Sequence, residues 1–117
     1  MKRAITAILL AVFLLPAFVA CGGPKTTVTL VITMPDGSQN IREITTRETY
    51  LGEALRSKGI IQCDELGGII SVEGVEANWD KDQTFWAFEI DGAYAGQGVD
   101  DEEITAGKVY ALIFTQG

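Results

Sequence analysis

Apolar residues alternate with polar ones over residues 27–34, TVTLVITM, and this period of two predicts a half-buried β-strand. The sequence Pro-Asp-Gly at positions 35–37 predicts a turn, because proline fixes φ and glycine accepts a positive φ. Residues 39–46 are therefore expected to fold back on the first strand and complete a hairpin.

A short amphipathic helix is expected after the hairpin. Side chains recur at the spacing of one helix face at Leu51, Ala54, Leu55 and, through its aliphatic stem, Lys58. Thr49 is predicted to cap the N-terminus of this helix, and Gly59 is predicted to end it.

The second half of the chain predicts further strands. A short apolar strand is expected over residues 69–73, followed by a polar loop over residues 76–83. Residues 84–90 alternate again and precede an Asp91-Gly92 turn, so they predict another strand. The uninterrupted apolar run over residues 109–114 is typical of a strand that is covered on both faces at the centre of a sheet.

This order of elements predicts an α+β domain. A hairpin, one helix and further strands that end in a central one is the order of the β-grasp (ubiquitin-like) fold, in which a mixed sheet of about five strands carries one covering helix. No repeat or low-complexity segment indicates a second domain, so a single domain is predicted over residues 27–117.

The first twenty residues are typical of an export signal. Lys2 and Arg3 precede an apolar segment over residues 4–19, which is shorter than the roughly 20 residues that a membrane-spanning helix needs. The segment Phe18-Val19-Ala20-Cys21 resembles a bacterial lipobox, in which the cysteine is lipidated and becomes the first mature residue. Residues 1–20 are thus predicted to be a cleaved lipoprotein signal peptide. Ordinary signal cleavage beside an incidental cysteine is the alternative.

The lipobox predicts where the protein resides. Cys21 would carry the lipid, and residues 21–26 would form a short tether. Acyl chains would then anchor the domain at the outer face of a bacterial membrane, an extracytoplasmic, cell-surface location.

Composition narrows the functions that this chain can perform. Its 117 residues hold 16 Asp and Glu against 9 Lys and Arg and no His, which gives a net charge of −7. An acidic chain repels the phosphates of DNA and RNA, so no nucleic-acid partner is expected. Without histidine, Ser-His-Asp, Cys-His and His-zinc chemistry are excluded. We therefore expect a protein that is not an enzyme and requires no cofactor.

Two acidic segments resemble metal-binding sequences only in part. Oxygen-bearing side chains stand at calcium-loop spacing at Asn78, Asp80, Asp82 and Glu89. Gln83, however, occupies the position that needs glycine for the sharp turn of such a loop. The four successive carboxylates of residues 100–103 are typical of a solvated surface. No metal site is predicted.

Several sequence features follow one another in a fixed order along the second half of the chain: Leu51 to Leu55 with Gly59, GGIISVEG at positions 67–74, Phe85-Trp86 after a polar loop, Gln97-Gly98, and positions 104–114 with Gly107. In this order and spacing they resemble a small β-grasp domain found in many exported bacterial proteins. They also resemble the C-terminal domain of the vitamin B12 carriers transcobalamin and intrinsic factor.

The resemblance implies a ligand and its contacts. In those carriers the small domain closes over a cobalamin held against a separate helical domain, and this implies Trp86 and Gln97 as contacts here. Exposed aromatic side chains beside a loop also suit a flat hydrophobic ligand. The residues predicted to bind a ligand are Trp79, Phe85, Trp86, Tyr94, Gln97 and Gly98.

These observations predict a membrane-tethered binding lipoprotein that performs no chemistry and captures cobalamin, another corrinoid or another flat small molecule. A further possibility is an accessory subunit that becomes a complete clamp only when it docks on a helical partner protein, because the 117 residues contain no helical domain of the kind found in the carriers. The alternative is a cell-surface protein-interaction module in which the aromatic strand or a free sheet edge pairs with another polypeptide.

Overall fold

The computed structural model describes residues 24–117. The predicted signal peptide and Cys21 lie outside the described residues. In chain order the strands are β1 (Thr26–Thr33), β2 (Gln39–Thr46), β3 (Ile61–Cys63), β4 (Ile69–Val72), β5 (Val75–Glu76), β6 (Thr84–Ile90), β7 (Ala93–Tyr94) and β8 (Val109–Gln116). The helices are α1 (Leu51–Ser57), α2 (Trp79–Asp82) and a 3-10 helix (Val99–Asp101).

A mixed five-stranded sheet forms the larger layer, with strand order β2-β1-β8-β6-β7. The central strand β8 runs parallel to β1 and antiparallel to β6. A second sheet has the order β3-β4-β5 and packs beside β6. The α+β class and the central position predicted for the last strand are both confirmed.

The first hairpin follows the sequence prediction closely. Strand β2 has the bounds predicted for the segment that follows the turn, and β1 is displaced by one residue from the predicted 27–34. Gly37 has φ 87°, and the Asp36 carboxylate accepts from the Ser38 N–H at 2.9 Å. A positive φ and an aspartate that bonds two residues onward are what a turn of this kind requires.

The start of α1 differs from the prediction. Tyr50 is the N-cap residue and makes no side-chain capping bond, so the prediction that Thr49 caps the helix is wrong. The Leu51 N–H instead donates to the Glu102 carbonyl at 2.9 Å, and the Thr49 carbonyl accepts from the Ile104 N–H at 2.9 Å. Backbone pairing with a distant segment therefore satisfies the groups that a local cap usually satisfies.

The end of α1 agrees with the prediction in one respect and not in another. Gly59 has φ 73° and ends the helix as predicted. Lys58 is exposed, so the expectation that its stem joins the apolar face is wrong. Ile60, which is 3% exposed, fills that part of the core after the chain has turned.

The segment predicted as a loop over residues 76–83 contains one helical turn, α2. The Asn78 side chain accepts from the Lys81 N–H at 3.0 Å, and Gln83 ends the turn at φ 57°. A four-residue helical turn capped locally by an asparagine shows little hydrophobic periodicity, which explains why the alternation pattern did not predict α2.

Strand β6 has the predicted bounds, whereas β4 ends at Val72 because Glu73 takes a positive φ in a turn.

The core lies between the five-stranded sheet, α1 and the second sheet. Its fully buried large side chains are Leu30, Ile32, Leu51, Leu55, Val72, Val99, Tyr110 and Leu112. They come from the central strand β8, its neighbour β1, strand β4, helix α1 and the 3-10 helix, so one apolar cluster joins every layer. Within residues 24–117 no helix is long and apolar enough to cross a bilayer.

A close approach fixes the 3-10 helix against α1. Gly52 is buried, and a Cβ built on it would overlap the Asp100 carboxylate. Asp100 is held there because it accepts from the Arg56 guanidinium at 2.6 Å. Because position 52 has no side chain, the 3-10 helix can pack closely against α1.

We predict that Gly52→Ala destabilises the protein by about 1–3 kcal/mol, because the added methyl group displaces Asp100 or its backbone. This sign is opposite to that expected from helix propensity alone, which favours alanine over glycine by about 1 kcal/mol. Denaturant unfolding measures the difference. Glu53→Ala, at the neighbouring exposed position, is the control and should stay within about 0.5 kcal/mol of the parent. A stabilised Gly52→Ala protein would contradict the close-approach argument.

Candidate functional site

A cleft of about 330 Å³ opens at the edge of β6. Its lining residues are Gly67, Gly68, Ile69, Phe85, Trp86, Ala87, Phe88, Tyr94, Gly96, Gln97, Gly98 and Val99. They come from three parts of the chain: the turn that leads into β4, the strand β6, and the segment between β7 and the 3-10 helix. None of these lining residues is charged.

The cleft exists because β6 is longer than its neighbour β7. Strand β7 pairs only with Glu89 and Ile90, and the Ala95 N–H then donates to the Phe88 carbonyl at 3.1 Å. Backbone groups in a strand alternate between its two edges, so the N–H and C=O of Trp86 face the same edge as those of Phe88. Among residues 24–117 no strand pairs with Trp86 on that edge. The cleft wall therefore offers a backbone donor and acceptor.

Trp86 lines the cleft but belongs mainly to the core. Its side chain is 6% exposed, and its indole Nε1–H donates to the Val75 carbonyl at 3.0 Å. Its ring also meets Phe114 edge-on, with centroids 5.3 Å apart. The indole is thus held rigidly by β5 and β8, and only a small part of it is available to a ligand.

The other aromatic residues predicted to bind a ligand divide into two groups. Phe85 and Tyr94 line the cleft and are 39% and 78% exposed, respectively. Trp79 is 54% exposed but lies outside the cleft, where its ring packs against Phe85 with a centroid distance of 5.9 Å. Trp79 therefore supports a lining residue from behind and does not itself line the cleft.

Gln97 carries the polar side chain of the cleft, and its amide is oriented by two acceptors. Nε2 donates to the Glu102 carboxylate at 3.0 Å and to the Asp101 carbonyl at 3.2 Å. Both partners can only accept, so the –NH2 group must point toward them and the Oε1 atom must point elsewhere. Among the described residues no group donates to this Oε1. Gln97 itself is exposed.

Glu102 is the buried end of this network. Glu102 is 6% exposed, and its carboxylate accepts from the Tyr110 hydroxyl at 3.0 Å while Lys108 Nζ lies 3.7 Å away. The expectation that residues 100–103 form one solvated acidic surface is therefore wrong. Asp100 is half-buried and ion-paired with Arg56, and Glu102, the extended residue that follows the 3-10 helix, is buried.

The opposite wall is a glycine turn held by one carboxylate. Asp64 accepts from the Leu66 and Gly68 N–H groups at 2.9 and 2.8 Å. Gly67 has φ 86°, and a Cβ there would come within 2.9 Å of the Asp100 carboxylate. The absence of side chains at 67 and 68 therefore keeps this side of the cleft low and open.

The residues that resemble a calcium loop do not form one. Asn78 caps α2 with its side chain, and Gln83 occupies a left-handed conformation at its end. Within residues 24–117 no three Cys, Asp or Glu side chains gather closely enough to hold a metal ion.

Part of this site was predicted from the sequence, and the rest was not. The structure brings Phe85, Trp86, Tyr94, Gln97 and Gly98 to one cleft. The role of Gly67 and Gly68 as a wall was not predicted from the sequence, because their approach to β6 depends on long-range packing of β4 beside β6. Glu102 was not predicted either, although a tyrosine inside the apolar run of residues 109–114 signals that its hydroxyl needs a nearby polar partner.

Comparison with solved structures finds the same fold in other proteins. A candidate metal-binding protein from Ruminococcus gnavus superposes with a TM-score of 0.71 at 25% identity, over 79% of this chain and 98% of that one. Haptocorrin in complex with Cbi superposes with a TM-score of 0.64 at 15% identity, over 80% of this chain and 25% of that one. This chain thus spans about a quarter of haptocorrin. No family model matches the sequence, and no curated protein matches it.

The network behind Gln97 predicts a loss of stability at alkaline pH. Burial raises the pKa of the Tyr110 phenol above 10.0, the neighbouring Glu102 carboxylate raises it further, and the hydrogen bond from the Thr105 N–H opposes the shift. Above about pH 10 the unfolded chain releases this proton while the folded one retains it. The contribution of Tyr110 to stability is therefore complete below that pH and is lost as pH rises through the raised pKa.

We expect the free energy of unfolding to fall more steeply above about pH 10 for the parent than for Tyr110→Phe. At neutral pH the variant should be less stable by about 1–3 kcal/mol, because Glu102 and the Thr105 N–H each lose a partner. Denaturant unfolding between about pH 8 and pH 11 measures both effects. Parallel pH profiles would show that Tyr110 does not carry the alkaline transition.

Proposed function

We propose that this protein is a membrane-tethered, extracytoplasmic binding lipoprotein whose cleft captures a corrinoid or another flat, partly apolar small molecule. The cleft itself carries this proposal. It combines aromatic side chains, a glycine wall that allows close approach, and oriented polar groups from Gln97 and the Trp86 backbone. Pockets of this composition are typical of small-molecule sites.

The absence of charge among the lining residues supports a neutral ligand. Behind the walls, Asp100 is paired with Arg56 and Glu102 with Lys108, and the Asp64 carboxylate accepts from backbone N–H groups of the glycine turn. An anionic ligand would find no cation in the cleft and would enter the field of an acidic chain. A corrinoid with uncharged amide side chains meets this requirement.

The order of elements supports a β-grasp fold. A hairpin is followed by one helix, and the last strand lies centrally and parallel to the first. Haptocorrin, a cobalamin-binding protein, shares the fold, and we infer a similar ligand class from this likeness together with the cleft.

Exposed apolar residues near the cleft support a protein partner that completes the site. Leu66 is 97% exposed beside the glycine wall, and Trp79, Phe85 and Tyr94 are each more than one third exposed. Trp79 and Phe85 are in ring contact, and exposed apolar side chains beside a cleft suit an interface. We infer a helical protein that covers the ligand from the open side, since most of haptocorrin has no counterpart in this chain.

A second candidate function follows from the open edge of β6. The unpaired backbone groups of Trp86 can pair with an extended polypeptide, which is how peptides add to exposed sheet edges. In this alternative the cleft binds a segment of another protein and no small molecule.

We predict saturable binding of dicyanocobinamide to the protein expressed from its full sequence and purified in mild detergent, measured by calorimetry and corrin absorbance. Phe85→Ala and Gln97→Ala should each weaken binding by about threefold to tenfold, because each removes a cleft contact. Ile41→Ala is the matched control: Ile41 is 68% exposed on β2, at the far edge of the sheet.

Three outcomes separate the proposals. Binding that the two cleft variants weaken and Ile41→Ala does not supports small-molecule capture in the cleft. No saturable binding up to about 1 mM ligand rejects capture by this protein alone and favours the peptide-binding alternative. Equal weakening by all three variants would mean that binding occurs outside the cleft.

The predicted lipid anchor is tested separately. We expect Cys21→Ser to abolish incorporation of labelled fatty acid, because the thiol that forms the thioether link is lost. Cys63→Ser is the matched control and should retain the lipid, since its thiol lies within the folded domain. Lipid that persists in Cys21→Ser would contradict the lipobox assignment.

A further inference from the structure

The geometry points to Glu102 as a positioning residue that fixes the Gln97 amide, so that the cleft presents a hydrogen-bond acceptor and selects ligands that carry an N–H donor such as a carboxamide. This inference rests on the proposed capture of a small molecule and specifies the chemistry of that ligand. It concerns a residue that lies behind the cleft wall and does not line it.

The first step is that Gln97 cannot turn freely. A solvent-exposed glutamine ordinarily samples both orientations of its amide, because its oxygen and nitrogen have the same shape. Here Nε2 faces two acceptors, the Glu102 carboxylate and the Asp101 carbonyl, at 3.0 and 3.2 Å. The flipped amide would place Oε1 against both oxygens, so it is excluded by repulsion. Hydrogen bonds to an ionised group are also the stronger ones.

The second step is that Glu102 itself is fixed. Its carboxylate is held from a different side by the Tyr110 hydroxyl at 3.0 Å, and Tyr110 is fully buried on the central strand. The backbone carbonyl of Glu102 accepts from the Leu51 N–H at the start of α1. The orientation of the exposed amide is thus transmitted from the core, and loss of Glu102 leaves Gln97 with the Asp101 carbonyl as the remaining acceptor for Nε2.

The third step is the chemistry that results. The outward Oε1 of Gln97 accepts, and the Trp86 backbone at the open strand edge both donates and accepts. A carboxamide supplies the complementary donor and acceptor, whereas a carboxylic ester supplies only acceptors. A ligand that leaves the Gln97 oxygen without a donor loses about threefold to tenfold in affinity.

The test compares two corrin ligands of nearly equal shape. Dicyanocobinamide carries carboxamide side chains, and dicyanocobyrinic acid heptamethyl ester carries methyl esters at the corresponding positions. The measured quantity is the ratio of their dissociation constants for the protein expressed from its full sequence. The partitioning of each ligand into detergent is the same for every variant. Changes in this ratio from one variant to another therefore report on the cleft.

We expect Gln97→Met to lower the amide preference by about threefold to tenfold, since methionine has the same reach without the acceptor. Glu102→Gln should retain the preference, because its Oε1 still accepts from Gln97 and its –NH2 can donate to Tyr110. Glu102→Leu should also lower the preference, by no more than Gln97→Met does, because the Asp101 carbonyl still accepts from Nε2. It should have no further effect when the two are combined.

A purely structural role for Glu102 is distinguished by a second background. Tyr110→Phe keeps the contact between Glu102 and Gln97 and should keep the amide preference. Glu102→Leu made in Tyr110→Phe leaves no phenol hydroxyl unpaired, so it removes the positioning contact with less damage to folding. If this double variant is folded and retains the preference, the inference is overturned.

The remaining outcomes are also decisive. If Gln97→Met leaves the preference unchanged while both ligands bind, the positioning inference fails and the proposed capture function stands. If neither ligand binds to the parent protein, the proposed capture function fails first. If Glu102→Gln loses as much preference as Glu102→Leu, the charge at position 102 and not the orientation of Gln97 determines selectivity, and the inference is again overturned.

Discussion

Glu102 is a buried polar link between the central strand, the start of α1 and the cleft. Its side chain accepts from Tyr110 on the central strand and from Gln97 at the cleft, and its backbone carbonyl accepts from the first N–H of α1. A carboxylate removed from water is costly unless its oxygens are satisfied, so its partners must keep their places. Sheet, helix and cleft wall are therefore constrained together by one residue.

The cleft follows from a mismatch of strand lengths combined with that constraint. Strand β7 pairs with only the last two residues of β6, and the chain then leaves the sheet edge to reach the 3-10 helix. A free strand edge is usually a liability, because it can pair with other chains. Here the glycine turn at 67–68 and the segment at 96–99 flank the edge on both sides, so the edge forms a wall of the cleft.

Sequence alone was most informative where local alternation decides structure. The bounds of β6 followed from a period of two, those of β2 from the preceding Pro-Asp-Gly turn, and the central place of β8 from its unbroken apolar run. The start of α1 was not predictable, because distant backbone partners near Glu103 replace a local cap. The burial of Glu102 was hidden for a similar reason, since four neighbouring acidic residues look alike until the fold separates them. Gln97 and Trp86 were found through a resemblance, whereas the glycine wall needed the packing of β4 beside β6.

The uncharged lining of the cleft limits the energy available for binding and thereby the kind of ligand. Without an ion pair, affinity must come from apolar contact and from hydrogen bonds that each contribute about 0.5–1.5 kcal/mol. A small polar solute could not gather enough of either from a cleft of about 330 Å³ that is open to solvent. A wide, flat ligand can extend over the exposed rings of Phe85 and Tyr94, and a covering partner would bury its other face. The same features that make the site weak in isolation therefore suit it to act as one half of a two-part clamp.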